Sequence, residues 1–559
     1  MENLAIIAQD CAKGLYGRAH LNFVTKLDRS LMEEFAKLVV QSQSLESIST
    51  VHDQYLDYVC MEKSLFTLQK KDSYVLYNGS GATDTEMEAA MTDIAYGLFS
   101  VIATLGYVPI IRCPKGAAPE MVARKLNKMI AEHPTLLRAK SGNRPLLVIL
   151  DRNSDLITPI QHSSTYQALI DDLLTHNANR VEFDVTLDAD GKRPKKIPKK
   201  YDLDPDEDPF YATHKFNPFP EAIEQNGVEL QEVTRREQEI RSKAGDTTTI
   251  APNPVANSGA SELATAVDSL PALLERKKQL EVHTSILQAV MNEVASRDVP
   301  QFFELENSMA TGTFKNDPGK AKSQVMELVT DPAKGSVEDK IRLVMVFALA
   351  TTAKGTDIEE VAEGMKQALE TRGSAINSDG TQRGLLNKVD RAKLVSGLKA
   401  IEYIKRMRSM LSMMPMSEAV QGSDGSGSAM MSSFLKSATN QATGLLAKAS
   451  EKVGSMMLGK TNKAHATRVV ENLCEMKPNT EDDDYLYLDP KVKGDVDVSA
   501  LRTMSRAPVR EVITFMIGGG CYAEYQNLQM VANERRTVCY GSTELVDPRK
   551  FVGQLGQLS

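Results

Sequence analysis

PLLVILD (residues 145–151) and VITFMI (residues 512–517, closed by GGG at 518–520) are the stretches that decide the fold. Both are almost wholly apolar, and the first ends on a carboxylate. Short apolar runs without the alternation of a half-exposed strand belong to strands buried on both faces of a parallel sheet. The two runs lie more than half the chain apart. Set side by side, they join both ends of the chain in one sheet and leave the middle as an inserted domain. Residues 538–540 read as a further strand of the same kind.

Outward from these runs, helix and strand signals alternate. Phe23, Leu27, Leu31, Phe35, Leu38 and Val39 recur at helical spacing, and residues 51–68 read as strand-like pieces with a turn. Residues 85–105 form an amphipathic helix ended by Gly106, followed by a short apolar run at 108–113 and a helix at 121–130. The middle, residues 263–404, is rich in helix signals; in LLERKKQLEVHTSILQAVMNEV the residues Leu273, Leu280, Ile286, Leu287, Val290 and Val294 mark one face. Residues 188–208, 244–261 and 421–428 read as linkers or mobile loops, and no internal repeat is present.

At 559 residues the chain exceeds the roughly 250 to 300 at which one hydrophobic core stops growing, so two or three domains are expected. Apolar residues at 42% and charged ones at 25% suit a folded globular protein. A net charge of -8 offers no basic field to nucleic acid. Cys11, Cys60, Cys113, Cys474, Cys521 and Cys539 form no CxxC pair, as expected of reduced thiols in the cytosol. The first residues lack a basic region followed by an apolar core, and no unbroken apolar run approaches the roughly 18 residues of a membrane span. The expectation is a protein neither secreted nor membrane-spanning, which touches membranes through a partner or an amphipathic surface.

Several constellations invite chemistry. The GGG turn after VITFMI resembles a phosphate cradle, but neither GxGxxG nor GxxxxGK[ST] is present, and a tight strand-to-helix turn explains it better. Asp151, Asp155, His162 and Glu182 could be drawn together as metal ligands or proton carriers; without ligand spacing, strand ends and helix caps are the simpler reading. Lys192, Arg193, Lys195, Lys196, Lys199 and Lys200 could hold phosphates, yet prolines interrupt the run and DLDPDED follows, as in a solvated loop. Residues 430–458 differ: Met431, Leu435, Ala438, Ala442, Leu445, Ala449, Val453 and Met456 form one stripe, opposite a Ser/Thr-rich face with few charges. Sensors of loosely packed, curved membranes have this composition, and so does a helix packed on a helical domain.

RPLLVILDRNSDLITPIQHSSTYQALIDDLL (residues 144–174) resembles the segment of the Sec/Munc (SM) family in which a strand ends in Asp-Arg and a Ser/Thr-Pro, a His and a Tyr-Gln-Ala helix follow. FMIGGGCYAEYQNL (515–528) and YGSTELVDPRKFVGQL (540–555) resemble its Sly-type branch. DQYLDYVCMEKSLFTL (53–68), YDLDPDEDPFYATHKFNPFPE (201–221) and SLPALLERKKQLEVHTSI (269–286) fit the same branch. Members of the family carry further strands and helices before the position matching Met1, so the resemblance implies either a truncated gene model or an incomplete first domain.

The resemblance implies a three-domain arch: parallel α/β sheets in domains one and two, and a mostly helical domain three inserted into domain two. Mapped here, residues 1–55 are a remnant of domain one, 56–224 and 465–559 the split domain two, and 225–464 domain three with a mobile loop at 410–464. It further implies a non-catalytic, cytoplasmic regulator of vesicle docking and fusion, peripherally associated with ER and Golgi membranes, monomeric and without cofactor or nucleic acid. Its partners would be a syntaxin-type SNARE, the assembled SNARE bundle and a curved vesicle membrane. The syntaxin N-peptide pocket maps to Met32, Phe35, Ala36, Ile48 and Val51, and a SNARE-receiving helix to Leu273, Leu280, Ile286, Leu287 and Val290. A membrane-sensing helix maps to Met431, Leu435, Leu445, Leu446, Val453 and Met456. The competing classes are a passive tether or coat scaffold and, from the GGG turn alone, a nucleotide-binding α/β enzyme.

Overall fold

The computed structural model describes residues 2–25, 27–137, 144–187, 195–246, 257–315, 317–371, 387–412, 463–492 and 509–559. Its strands are β1 (Ala19–Phe23), β2 (Ile48–Asp53), β3 (Val59–Glu62), β4 (Leu65–Thr67), β5 (Ile110–Cys113), β6 (Leu146–Asp151), β7 (Thr175–Asn177), β8 (Arg180–Leu187), β9 (Lys195–Asp202), β10 (Leu486–Leu488), β11 (Glu511–Ile517) and β12 (Thr537–Ser542). The chain divides into two compact units, one of Met1–Ser154, His465–Gly520 and Leu528–Leu545, the other of Asp155–Ala464, Cys521–Asn527 and Val546–Ser559.

The first unit is built on a seven-stranded sheet of order β10-β5-β6-β11-β12-β4-β3. The five central strands are parallel and the two edges antiparallel. PLLVILD and VITFMI lie side by side, from Leu146 opposite Val512 to Asp151 opposite Ile517. Leu147, Ile149, Ile513, Phe515 and Ile517 pack under the helices Asp84–Leu105 and Ala117–Glu132, while His465–Glu475 packs against β6. Both faces are covered, which is why the runs show no alternation.

Thr83 and Glu86 close a capping box on Asp84–Leu105, and Gly106 ends that helix in the left-handed region at φ +73. Among the described residues this helix is long and apolar enough to cross a membrane. Uncharged Thr, Ser, Tyr and Gly break its apolar run without adding charge. Its Met91, Ile94, Leu98, Phe99 and Ile102 are buried in the core beneath the sheet.

The glycine turn is consumed by the chain itself. Gly518 and Gly519 stand at φ +92 and +99, and their N–H groups donate to Thr543 Oγ1 at 3.0 and 3.1 Å. Gly520 donates to the Glu544 carbonyl at 2.8 Å, and Arg152 Nε to the Gly519 carbonyl at 3.0 Å. A Cβ on Gly518 would lie 2.3 Å from the Tyr77 hydroxyl and 3.0 Å from Arg152 Cβ. Gly518→Ala should therefore lower stability by roughly 1 kcal/mol or more, through the disfavoured φ as well as the overlap. An unshifted denaturation midpoint would show that the turn yields freely.

Nearer the N-terminus, β1 and β2 pair parallel as a two-stranded sheet. Leu4 and Ala8 from Glu2–Ala12 and Phe35 and Val39 from Arg29–Gln41 form a small core, against which Leu21, Phe23, Leu31 and Ile48 pack.

In the second unit every described element between residues 219 and 412 is helical. Phe219–Asp246 and Asn257–Arg297 pair as an antiparallel hairpin, with Asn226 Nδ2 donating to the Leu280 carbonyl and Lys277 paired with Glu237. These helices extend into residues 244–261, read above as a linker. Lys195–Asp202, within the stretch 188–208 read above as a linker, also departs from expectation, because as β9 it forms the edge of the sheet β7-β8-β9. Its lysines and Pro198 hide the strand from a periodicity reading, yet both are what protect an exposed edge from further pairing.

Candidate functional site

The acid and histidine residues serve structure at separate places. Asp151 accepts from Asn153 N and from the Tyr77 hydroxyl, both at 2.8 Å, at the end of β6. Asp155 accepts from Ile157 N and Thr158 N, and Glu182 pairs with Lys200 across β8 and β9. Among the described residues no group of three His, Cys, Asp or Glu could hold a metal ion.

His162 stands in a buried charge network. Its Nδ1 lies 2.9 Å from Glu306 and its Nε2 3.0 Å from Asp339. Asp339 also takes both arms of Arg297 and caps its own helix at Ser336. Alongside, Arg342 donates to both oxygens of Asp172 at 2.6 and 2.8 Å and to the Ile160 carbonyl at 2.6 Å. A second buried chain runs from Tyr166 OH to His283 at 2.9 Å and on to Asp208 at 2.8 Å. The imidazoles and the Tyr166 ring are sealed from solvent, so these groups lock helices together and meet no substrate.

Burial and the Arg342 guanidinium press the His162 pKa down, but Glu306 and Asp339 outweigh them and hold it above the ordinary 6.5. Stability from this charge is complete below that ordinary value and is lost as pH rises through the raised one. Burial pushes Asp172 and Asp339 up, but their cationic partners hold both below 3.8, so their contribution is lost only as pH falls through the depressed values. The stability difference between the wild type and His162→Gln should accordingly be larger at about pH 6 than at about pH 8. Equal differences in urea titrations would mean that His162 is neutral throughout.

The residues mapped to a peptide pocket separate by one step around the helix Arg29–Gln41. Phe35 is 3% exposed and sits in the small core, and Ile48 packs against it. Phe35 is therefore a core residue, while Ile48 is half-buried at the edge of that core. Met32 is half-buried, Ala36 is exposed and Val51 is 39% exposed. Ala36 faces outward with Val40, which is 59% exposed, in an open groove of about 540 Å3 completed by Glu33, Lys37 and Gln41. Val40 and Lys37 went unnoticed in the sequence, although the spacing 33, 36, 37, 40 marks them.

The helical stripe needs a firmer correction. Leu280, Ile286, Leu287 and Val290 are buried with Tyr166, Phe210 and Phe219 in the core of the second unit, and Leu273 is half-buried. They hold the hairpin to the domain, whereas Leu274, Glu275, Lys278, Glu281 and Gln288 face solvent. Met431, Leu435, Leu445, Leu446, Val453 and Met456 lie outside the described residues.

The Sec1 family model matches residues 1–554. Sec1 family domain-containing protein 1 of Homo sapiens is 33% identical over 587 residues, covering 100% of this chain and 85% of the relative. The protein sly1 homolog of Drosophila melanogaster is 32% identical over 586 residues, with the same coverage. Among solved structures, Sly1p in complex with an N-terminal peptide of Sed5p superimposes with a TM-score of 0.71 at 25% identity, over 100% of this chain and 82% of that one. Vps45 in complex with the Qa SNARE Tlg2 has the same fold, with a TM-score of 0.64 at 17% identity, over 100% of this chain and 84% of that one.

Proposed function

The chain belongs to the Sec1 family, and on that premise we propose that it binds a syntaxin-type SNARE and promotes SNARE complex assembly in transport between ER and Golgi, without a catalytic step. The supporting observation is likeness along the whole chain to Sly1p, whose structure contains an N-terminal peptide of Sed5p. SNARE chains lose conformational entropy when they zip into a bundle. A surface that aligns them lowers that cost at nucleation, which needs binding groups and no reactive one.

On this reading the N-terminal peptide of the syntaxin docks in the Ala36–Val40 groove, where an apolar anchor meets Ala36 and Val40 between the charged rims Glu33 and Lys37. The solvent face of the Asn257–Arg297 helix receives SNARE helices. The domain division 1–55, 56–224 with 465–559, and 225–464 follows the same family reading. The protein works from the cytoplasm as a monomer, peripherally on ER and Golgi membranes. A nucleotide role finds no support at the glycine turn, whose amides are taken by Thr543 and Glu544.

Calorimetry of the full chain with N-terminal peptides of syntaxin-type SNAREs tests the docking step. Saturable binding to one ER-Golgi member is expected; absence of heat across a complete panel would remove the proposal. Residues 430–458 are assigned the membrane-sensing role on composition. Binding to small vesicles that survives Leu445→Asp with Leu446→Asp would sink that assignment.

A further inference from the structure

Among the described residues Arg144 is paired with Asp489, Arg297 with Asp339 and Arg342 with Asp172. Three arginines gather elsewhere without such a partner among the described residues, Arg510 and Arg535 exposed and Arg536 half-buried. Arg510 immediately precedes β11, and Arg535 and Arg536 immediately precede β12. Asn533 and Arg536 exchange both backbone hydrogen bonds across a tight turn, with Glu534 and Arg535 at its tip. Thr537 N donates to the Arg510 carbonyl at 2.8 Å and Arg536 Nε to the Val509 carbonyl at 3.3 Å, stapling the turn to the start of β11. Together Val509, Arg510, Asn533, Glu534, Arg535 and Arg536 line a cavity of about 590 Å3.

None of the three guanidiniums has an ion-pair partner among the described residues. The lining holds three arginines against the single carboxylate of Glu534, on a chain whose net charge is -8. Glu471 and Glu475, which with Arg536 influence Cys474, are already tied to Lys477 at 3.7 and 3.1 Å. Arginine forks that line a concave site are suited to phosphate, which accepts from them bidentately. The crevice at the carboxyl end of β11, where α/β sheets commonly hold anions, is filled by Thr543, Tyr77 and Arg152. The arginine cavity lies at the opposite end of the same strands.

We propose that this cavity is a binding site for a small, multiply phosphorylated headgroup of the inositol phosphate class. An acidic peptide is a poorer fit. β11 is paired on both sides by β6 and β12, and β12 by β11 and β4, so no strand edge is open for a peptide backbone to join. Its described lining comes from two short segments, residues 509–510 and 533–536. Phosphate carried on a lipid and phosphate free in solution share this chemistry. The inference stands apart from SNARE binding and uses none of the residues assigned to it.

The test is calorimetry of the full chain with inositol trisphosphate, alongside flotation with phosphatidylcholine vesicles with and without phosphatidylinositol bisphosphate. The wild type is expected to bind the trisphosphate, Arg510→Gln and Arg535→Gln to bind about tenfold more weakly each, and Glu534→Gln to bind more tightly. Flotation only with the phosphoinositide identifies a lipid ligand; trisphosphate binding without flotation identifies a soluble one. Either supports a phosphate site. The Glu534→Gln arm reads in the opposite direction, so misfolding of an arginine variant cannot imitate the pattern. No trisphosphate binding by the wild type, equal binding by folded arginine variants, or preference for a glutamate-rich peptide would overturn the proposal.

Discussion

Replacing Arg342 by alanine is expected to destabilise the protein by about 3 to 5 kcal/mol, the range for removing one partner of a buried ion pair. The Arg342 and Asp172 side chains are each only 2% exposed, and the guanidinium spends its donors on both Asp172 oxygens and on the Ile160 carbonyl. Its loss leaves a buried carboxylate and a buried carbonyl without their donors. Asp172, held low by Arg342 against the upward pull of burial, would instead be driven to protonate. The double change Arg342→Leu with Asp172→Leu should recover much of the loss, because the penalty lies in the orphaned charge more than in the missing bond. Denaturant titration of the second unit reads this directly. A loss below about 1 kcal/mol would mean that water reaches Asp172 and that the network is a surface feature.

The second large effect concerns binding. Ala36→Asp should weaken a syntaxin N-peptide roughly ten- to hundredfold, since a buried apolar anchor contributes ~1.5 to 3 kcal/mol and a carboxylate in the groove removes it. Ala36 is exposed, so folding should be unaffected, whereas the same change at Phe35 would unfold the N-terminal core. That contrast separates groove from core. Unchanged peptide affinity in folded Ala36→Asp would place the pocket elsewhere.

The sheet was legible because apolar runs without alternation admit few other readings, and PLLVILD and VITFMI indeed pair residue for residue. β9 was not, since the lysines and proline that protect an edge look like a solvated loop. The His162 network left no trace in the sequence: its partners stand 144 and 177 residues away, and no local pattern links them. The residues mapped to a peptide pocket divide between core and groove, because Phe35 and Ala36 are neighbours in sequence and one step apart in phase. Leu280, Ile286 and Val290 were misplaced for a related reason. Groove anchors and core residues share the same spacing of three and four, and only the surrounding helices decide between them.

Assistance to SNARE assembly is proposed to need no chemical step of this chain. Its most direct test is the rate of lipid mixing between vesicles carrying the cognate ER-Golgi SNAREs, measured with and without the purified full chain and without nucleotide. Faster fusion is expected, saturating with protein concentration and reduced by Ala36→Asp. Fusion at the unassisted rate, despite measurable syntaxin binding, would contradict it and leave the chain a passive scaffold.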